Sequence, residues 1–476
     1  MGQAAICSLN HYRETAQKEL FREECHRQLD LFLDAVEPQM SQSNPTLEEL
    51  TAAIFSQRND LMGELTAILV KQTHANLIGQ EYTKCPHCGK ALKARNKHPR
   101  TVETLIGSIN LDRPYFYCID CQQGFYPLDS ALALSARKKQ NDIQKAACSL
   151  SAEIPYKPGS ELFQELTGIA LSDHTAHEMV AEVASELTML DVVPSAQEIR
   201  DKIAALAKDK KWRPIMVLAI DGAFVPTRPE EAKGTRPGHK KQRARRARWK
   251  GQWQDAKGFR LYLVDGERIV QIASWHQIQT HEALAEALRV CKAHDLIPED
   301  LVRLCVIADG ARWIWELVKE LFPTAVEVLD FYHCSEHINK VATEQYPNDP
   351  EMQQHWAESA IARVLMNEGQ RVIWGLQHLK PHSEPAASEI AKLIVYLKKH
   401  LDRIDYQSFR KGGYPIGSGG IESSNKFICH VRLKRSGAWW YVANANDILL
   451  LRCAKYNGTF DRLFQKKISK PSVKNT

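Results

Sequence analysis

Two short apolar segments constrain the fold of this chain more than any other feature. The segments "PIMVLAIDG" (214–222) and "VRLCVIADG" (302–310) are dominated by apolar side chains and show no polar alternation. Such runs are typical of strands that are buried on both faces of a sheet, with helices covering them. Each run ends in an Asp-Gly pair, which predicts that Asp221 and Asp309 project from the ends of two strands. An aspartate at a strand end also serves as a turn or helix cap, and that alternative stays open for each acid.

The segments around these runs predict the rest of a mixed sheet. An Asp-Gly pair divides "FRLYLVDGERIVQIASW" (259–275) into the two strands of a hairpin. The segment "THEALAEALRVCKAH" (280–294) predicts a helix capped by Thr280, and "AVEVLD" (325–330) predicts a further strand. Residues 331–410 and 421–455 have helical patterns. The sequence therefore predicts an α/β protein whose mixed sheet is flanked by helices.

The N-terminal part of the chain has a helical pattern of its own. Residues 11–80 predict two or three helices, with a break at the Asn-Pro pair in "SQSNPT" (41–46). Within 140–208, "ELFQELTGIALSDHTAHEMVAEVA" predicts a helix that ends at Gly168 and a second one capped by Ser172 or Asp173. This is helix-turn-helix geometry, which favours DNA binding. A plain pair of helices joined by a glycine turn matches the pattern equally well.

Four of the twelve cysteines form two C-x2-C pairs, Cys85 with Cys88 and Cys118 with Cys121, separated by 29 residues. The intervening "TVETLIGSINLDRPYFYC" predicts a hairpin with its turn at Gly-Ser. Two-residue spacing lets both sulfurs of a pair reach one tetrahedral ion, and four thiolates leave no open position for water. The pairs therefore predict a structural zinc site rather than disulfides.

The N-terminus lacks a secretory signal, and no apolar run approaches the ~20 residues that span a bilayer. We therefore expect a cytoplasmic, nucleoid-associated protein with no membrane partner. The net charge is +6, and residues 233–250 hold nine Lys or Arg and no acid. Such a block is either a solvated loop or a phosphate-binding patch. Its candidate DNA contacts are Lys240, Lys241, Arg243, Arg245, Arg246 and Arg248.

Glu422 in "GSGGIESSNK" (417–426) is a candidate third acid. On an ideal helix that starts near residue 421, Ile421, Phe427, Ile428 and Val431 share one arc, which would dock on the sheet. Glu422, Asn425 and Lys426 are expected on the opposite side. Alternatively, Glu422 only offsets the helix dipole in the first turn. The basic residues that follow are further candidate DNA contacts: Lys426, Arg432, Lys434 and Arg435.

Three carboxylates, without an obvious Ser/His or Cys/His nucleophile, favour phosphoryl transfer with two metal ions. Carboxylate oxygens suit the hard ion Mg²⁺, or Mn²⁺ in its place. One ion would lower the pKa of the attacking water or 3′-hydroxyl, and the other would stabilise the leaving oxygen. Given the basic segment, nucleic acid is the expected partner.

At these acids the chain resembles bacterial insertion-sequence DDE transposases of the Mutator-like group. The resemblance lies in "AIDGAFV", "SWHQIQTHEAL", "VIADGARWIW" and "PIGSGGIESSNKFICHVRLKRSGAWW". The segment "CPHCGK…RPYFYCIDC" resembles the zinc-binding hairpin of the insertion-sequence subgroup with a cysteine ribbon. The family has an RNase H-like catalytic domain with an all-helical insertion, which the resemblance implies for residues 335–410.

The resemblance implies that Asp221, Asp309 and Glu422 bind the catalytic metals. It also places a Cys/Asp-x2-His motif at "DFYH", that is, at Asp330 and His333. His333 would contact DNA or support the site, unless it is a core histidine. The implied organisation is a helical region (1–80), a zinc-ribbon-like hairpin with four cysteines (81–130), a helix-turn-helix-like region (140–208), a catalytic core (212–334 and 411–460) interrupted by the insertion (335–410), and a basic tail (461–476).

The resemblance implies a DDE transposase whose partner is double-stranded DNA, both the element ends and the target. Such an enzyme binds the element's terminal inverted repeats, then cleaves and joins DNA strands. A homodimer or higher oligomer is expected, because two element ends must be held together. Two alternatives stay open. One is a metal-dependent nuclease of the RNase H-like fold, and the other is a non-catalytic zinc DNA-binding protein derived from a transposase.

Overall fold

The computed structural model of the chain describes residues 2–40, 44–208, 210–230 and 250–468. The chain divides into two compact units. The first unit comprises residues 1–182 and 461–476, and the second comprises residues 183–460. In the part of the chain that is described, no helix combines the length and the apolar character needed to cross a membrane.

The first unit begins with helices α1 (Gly2–Met40), α2 (Leu47–Thr73) and α3 (Ala75–Ile78). The predicted break at residues 41–46 falls between α1 and α2. It is enforced by a capping box, in which the Thr46 side chain accepts from the backbone N–H of Glu49, and the Glu49 side chain accepts from the backbone N–H of Thr46.

Short antiparallel pairs of strands follow: β1 (Tyr82–Lys84), β2 (Ala91–Lys93), β3 (Lys97–Thr104), β4 (Gly107–Pro114), β5 (Phe116–Cys118) and β6 (Gln123–Phe125). The predicted hairpin is formed by β3 and β4, but its predicted Gly-Ser turn is wrong. Thr104 pairs with Gly107, so the loop is Leu105–Ile106. Gly107 serves packing instead, because a Cβ there would lie 2.0 Å from the backbone oxygen of Asn59 in α2.

The helices α4 (Pro127–Ala131), α5 (Asn141–Glu153), α6 (Tyr156–Thr167) and α7 (Asp173–Ala184) come next. The predicted helix-turn-helix boundaries are confirmed. Gly168 ends α6 with a φ of 72°, and the Ser172 hydroxyl accepts a hydrogen bond of 3.0 Å from the Thr175 N–H at the start of α7. Phe163 and Met179 share a buried cluster with Ile143, so the two helices pack through apolar side chains.

The second unit starts with α8 (Met189–Val192) and α9 (Ala196–Ala207) and contains a mixed sheet. Its elements are β7 (Ile215–Thr227), β8 (Gln252–Asp265), β9 (Arg268–Ile278), α10 (His281–Ala293), β10 (Arg303–Ala308), α11 (Arg312–Leu321) and β11 (Val326–Leu329). The strand order is β11-β10-β7-β8-β9, with β7, β8 and β9 antiparallel, and with β10 parallel to both β7 and β11. The predicted mixed α/β architecture is confirmed, including the Thr280 cap of α10.

The first predicted strand is longer than its sequence pattern indicated. β7 pairs with β8 as far as Thr227, whereas its pairing with β10 covers only Ile215 to Ala219. Asp221 therefore lies inside β7, just past the parallel pairing, and not at the end of the strand. The apolar run marks the first six residues of β7, which are all buried, and it stops at Asp221 and Gly222, which are half-buried.

Residues 331–410 are helical, as predicted. They form α12 (Phe331–Gln345), α13 (Pro350–Leu365), α14 (Gly369–His378), α15 (Glu384–Lys399), a 3₁₀ turn (Leu401–Arg403) and α16 (Tyr406–Lys411). The chain continues through α17 (Gly419–Ser424), a π-helical turn (Asn425–His430), α18 (Val431–Leu433), α19 (Val442–Asn457) and α20 (Phe460–Ile468).

The expectation of helix over 421–455 is confirmed for most of that range, but the chain leaves the helix between α18 and α19. Gly437 has a φ of 74° within this interruption. Trp440 then pairs with the end of β7, since its N–H donates to the Pro226 oxygen (3.1 Å) and its carbonyl accepts from Arg228 (2.9 Å). These backbone hydrogen bonds hold the interruption against the sheet.

Candidate functional site

The four predicted zinc ligands form a cluster in the first unit. Cys85 and Cys88 lie between β1 and β2, while Cys118 and Cys121 lie at the β5–β6 turn. All four sulfurs lie within 4.8 Å of one another and none is in a disulfide. Cys85 and Cys118 are buried, Cys121 is half-buried and Cys88 is exposed. This four-cysteine cluster has the composition and spacing to bind a metal ion such as zinc.

Asp221 and Asp309 lie side by side in the second unit. The last parallel pair between β10 and β7 is Ile307 with Ala219. Continuing that register by two residues places Asp309 next to Asp221, and neighbouring strands are about 4.8 Å apart. Both acids are half-buried. Asp309 also acts as a turn residue, because its Oδ1 accepts a 2.9 Å hydrogen bond from Ala311 N–H.

The electrostatic environment of Asp221 disfavours its charge. Burial raises the pKa of Asp221 to about 6, and the nearby charges of Asp309 and Asp255 act in the same direction. A hydrogen bond from the Gly222 backbone and the proximity of His333 oppose this rise in pKa. A cation bound between the two carboxylates would stabilise their charged forms.

Sequence analysis missed two residues of this site, Asn425 and His276. The Asn425 side-chain nitrogen donates a 2.8 Å hydrogen bond to Asp221 Oδ2, and its oxygen lies 2.9 Å from His276 Nε2. Asp221, Gly258 and His276 occupy one cross-strand row of β7, β8 and β9. His276 had one available signal, namely a histidine between Trp275 and Gln277, directly after a segment predicted to be a strand. The sequence gives no such signal for Asn425, because a regular helix would place it on the side opposite to the apolar face.

The predicted helix face is only partly confirmed, and the π-helical turn accounts for the exposed residues that follow Asn425. Ile421 and Ile428 are buried as expected, but Phe427 is 56% exposed and Val431 is 44% exposed. Asn425, expected on the opposite side, is buried. A π turn closes its hydrogen bonds at i→i+5 and so holds more residues per turn than an α-helix. Residues after Asn425 are therefore rotated relative to the ideal helix.

Glu422 lies one helical turn before Asn425 and is exposed. Its Oε1 accepts a 2.9 Å hydrogen bond from the Ser418 hydroxyl, and it occupies the first turn of α17, as the dipole alternative requires. Among the described residues, the four cysteines form a group of three or more His, Cys, Asp or Glu side chains whose ligand atoms all lie within 4.8 Å of one another. Asp221, Asp309 and Glu422 do not form such a group. The structure therefore brings Asp221 and Asp309 together, but it does not gather Glu422 with them at that spacing.

Asp330 and His333 flank the site. Asp330 is buried, and its Oδ1 accepts from the backbone N–H groups of Ser418 (2.9 Å) and Tyr332 (3.2 Å). His333 Nε2 lies 3.8 Å from Asp330 Oδ2. The His333 side chain is partly exposed, which corrects the core-histidine alternative. Asp330 thus ties the end of β11 to the segment that precedes Glu422.

The basic candidates fall into three groups. Lys426, Lys434 and Arg435 are exposed. Arg432 is buried with its guanidinium 4.8 Å from the centre of the Trp440 ring, so the expectation that it contacts DNA is corrected. Outside the described residues lie Lys240, Lys241, Arg243, Arg245, Arg246 and Arg248.

The fold and its sites define a mixed α/β protein with a separate four-cysteine cluster. The chain belongs to the UPF0236 family, described as an uncharacterised protein family, whose model matches residues 42–466. It is similar to the "UPF0236 protein in vanSb 3′region" of Streptococcus gallolyticus, with 22% identity over 370 residues. That similarity covers 76% of this chain and 74% of the relative. The family match includes the four cysteines and all three predicted acids.

Proposed function

We propose that this protein is an insertion-sequence DNA transposase of the DDE type, which cleaves and joins DNA strands with two divalent metal ions. The observation that carries this proposal is the juxtaposition of Asp221 and Asp309 on neighbouring parallel strands. Three antiparallel strands followed by two parallel ones are compatible with an RNase H-like core. In this proposal the helices between residues 335 and 410 are its insertion.

Asp221 and Asp309 would hold the metal ions, and Glu422 would join them through a change of side-chain rotamer. Their oxygens suit Mg²⁺ or Mn²⁺. The bound ions would activate the attacking water or 3′-hydroxyl and stabilise the leaving oxygen. The contribution of the protein is to hold the two carboxylates next to each other through the pairing of β7 with β10. The buried hydrogen bonds of Asp330 to Ser418 and of Asn425 to Asp221 hold the helix of Glu422 beside them.

An aromatic and basic surface toward the end of β7 and the start of β8 supports DNA as the substrate. Trp253 is 58% exposed at the start of β8, and its ring centre lies 6.3 Å from that of Trp439. Lys434 Nζ lies 5.8 Å from the Trp253 ring, and Phe224 is exposed on β7. Aromatic faces stack on bases while lysines contact phosphates. The basic segment 233–250 connects the strands that carry Phe224 and Trp253.

In the first unit, the four-cysteine cluster would hold a structural zinc ion. Together with the helices α6 and α7 it would recognise the terminal inverted repeats of the element. A homodimer or larger assembly would hold the two ends. The protein would act at the nucleoid in the cytoplasm.

The second candidate is a non-catalytic zinc DNA-binding protein, which the separation of Glu422 from the other acids favours. A metal-dependent nuclease remains a variant of the catalytic proposal. Gel-shift and incision assays with the terminal repeats that flank the gene separate the three functions. A transposase binds the repeats selectively and cuts at their ends with Mg²⁺, whereas a nuclease cuts without selecting them.

In these assays Asp221→Ala and Glu422→Ala are expected to abolish incision while repeat binding persists. Asp265→Asn, at the end of β8 where Asp265 forms a 2.7 Å ion pair with Lys210, is the matched control and should cut normally. Selective binding without cutting, unchanged by either alanine variant, would establish the non-catalytic function instead.

A further inference from the structure

We infer that Asn425 and His276 are positioning residues that orient the carboxylate of Asp221 for metal binding. This inference rests on the proposed function, because it takes Asp221 as a metal-binding acid. Neither residue is among the acids that the metal chemistry requires. Both are connected to Asp221 by hydrogen bonds in the interior of the second unit.

The hydrogen-bond directions follow from the chemistry of the three groups. An ionised carboxylate only accepts, so the amide nitrogen of Asn425 must face Asp221 Oδ2 at 2.8 Å. The same nitrogen lies 3.5 Å from the Gly222 oxygen. The amide oxygen therefore faces His276, and His276 Nε2 must carry the proton that it donates over 2.9 Å.

The fold makes room for this arrangement at two points. The His276 ring lies over Gly258, where a Cβ would come within 2.4 Å of the ring carbon Cδ2. Asn425 is the first residue of the π-helical turn, and such turns occur frequently at functional sites. A glycine on β8 and an irregular helical turn thus allow the ring and the amide to meet beside Asp221.

The arrangement fixes one oxygen of Asp221 and so sets the direction of the other. Both supporting side chains are buried, His276 completely, so water cannot replace either hydrogen bond without rearrangement. Without Asn425 the carboxylate could rotate about its terminal torsion, which is broad and roughly two-fold. Metal binding would then have to order the carboxylate, and the affinity for the ion would fall.

The test is a titration of the full-length protein with Mn²⁺, followed by electron paramagnetic resonance. His276→Leu removes the donor, and Asn425→Ala removes the link to Asp221. Asn425→Ala should weaken Mn²⁺ binding at least about tenfold, as expected for a lost hydrogen bond to a charged group. His276→Leu should also weaken Mn²⁺ binding, because the Asn425 amide then loses the hydrogen bond that orients it. His276→Gln is the matched variant, because its amide can still donate to Asn425, and it should bind within about twofold of wild type.

Thermal unfolding of each variant shows that the folded protein is being measured. A purely structural role would lower the melting temperature and leave the Mn²⁺ affinity of the folded protein unchanged, which would overturn the inference. Asn425→Ser is the second variant if Asn425→Ala does not fold. Its hydroxyl keeps a small polar group at this position but is one bond shorter than the amide nitrogen, so it cannot reach Asp221 and should also lose affinity.

Asp221→Asn separates this inference from the proposed function. If that variant loses Mn²⁺ binding while His276→Leu and Asn425→Ala bind normally, the positioning role is wrong and the metal site stands. If Asp221→Asn binds Mn²⁺ as tightly as wild type, the proposed metal site is wrong and the inference fails with it.

Discussion

Asp221 is both a proposed metal ligand and a residue whose buried charge destabilises the metal-free protein. Its pKa is raised to about 6 by burial, whereas an ordinary aspartate titrates near 3.8. Between these values the folded chain holds a proton that the unfolded chain has released. Stability without metal therefore falls as the pH rises from about 4 to 6, and it stays reduced above that range. The buried charge is thus a local destabilisation that a bound cation would relieve.

We expect Asp221→Asn to stabilise the metal-free protein at pH 7.5, by about 2 kcal/mol, because the amide carries no charge to bury. The gain should vanish near pH 3, about one unit below the ordinary aspartate pKa, where the wild-type carboxyl is largely protonated in both states. Urea unfolding in chelator at the two pH values measures the difference. An Asp221→Asn protein that is less stable than wild type at pH 7.5 would contradict the raised pKa.

Gly258 is a second residue with a testable role, because the structure leaves no room for a Cβ atom at this position. A Cβ there would lie 2.3 Å from the Trp275 oxygen and 2.4 Å from the His276 ring. We expect Gly258→Ala to reduce the free energy of unfolding by about 1–3 kcal/mol through overpacking. Gly375→Ala, in α14 with nothing within 4 Å, is the control and should gain roughly 0.5–1 kcal/mol. Equal stabilities of the two variants in urea would contradict the close packing around Gly258.

At the scale of elements, the short strands β1, β2, β5 and β6, which flank the four cysteines, have few apolar residues to hold them together. Leu92 and Phe116 are buried beside Cys85 and Cys118 in one small cluster. A core of that size needs a metal or a cross-link for stability. A metal ion bound by the four cysteines would add the stability that this small core lacks.

We expect about one zinc ion per chain in the purified protein, because four thiolates complete a tetrahedral shell. Cys118→Ser should lower that content to less than half an ion, whereas Cys25→Ser, on α1, should not change it. Atomic emission on the full-length proteins measures the content. Less than about half an ion in the wild type would contradict the zinc site.

The aromatic surface on β7 and β8 gives a prediction about DNA. Trp253→Ala should weaken binding to single-stranded or forked DNA by about 1–3 kcal/mol, the usual contribution of one base stacked on an aromatic ring. Trp374→Ala, exposed on α14, is the matched control and should bind normally. Fluorescence anisotropy with labelled oligonucleotides measures both. Equal loss in the two variants, or none in either, would remove the support that this surface gives to DNA binding.

Elements defined by local signals were predictable from the sequence, and those set by distant contacts were not. The Thr280 cap, the Gly168 helix end and the buried strand β10 depend on neighbouring residues, and the structure confirms them. The length of β7 depends on its pairing with β8, and the π turn shifts which side chains are buried. The contact of Asn425 with Asp221 joins residues 204 positions apart, which no local pattern encodes.

In the whole molecule, the features on which the proposal depends are distributed between the two units. The first unit holds the four-cysteine cluster and most of the helix-turn-helix-like segment, while the second holds the mixed sheet with Asp221, Asp309 and Glu422. The UPF0236 family match at residues 42–466 takes in both sets of features. The proposed division of labour is recognition of element ends by the first unit and phosphoryl transfer by the second.

The central claim is that Asp221 and Asp309 together support metal-dependent DNA strand transfer. The most direct measurement is an in vitro strand-transfer assay with the element's ends, a target plasmid and Mg²⁺, comparing wild type with Asp309→Ala. The account predicts joined products with the wild type, none in chelator, and a loss of at least about a hundredfold in the variant, because one metal-binding carboxylate is missing. Equal activity of the wild type and Asp309→Ala would contradict it.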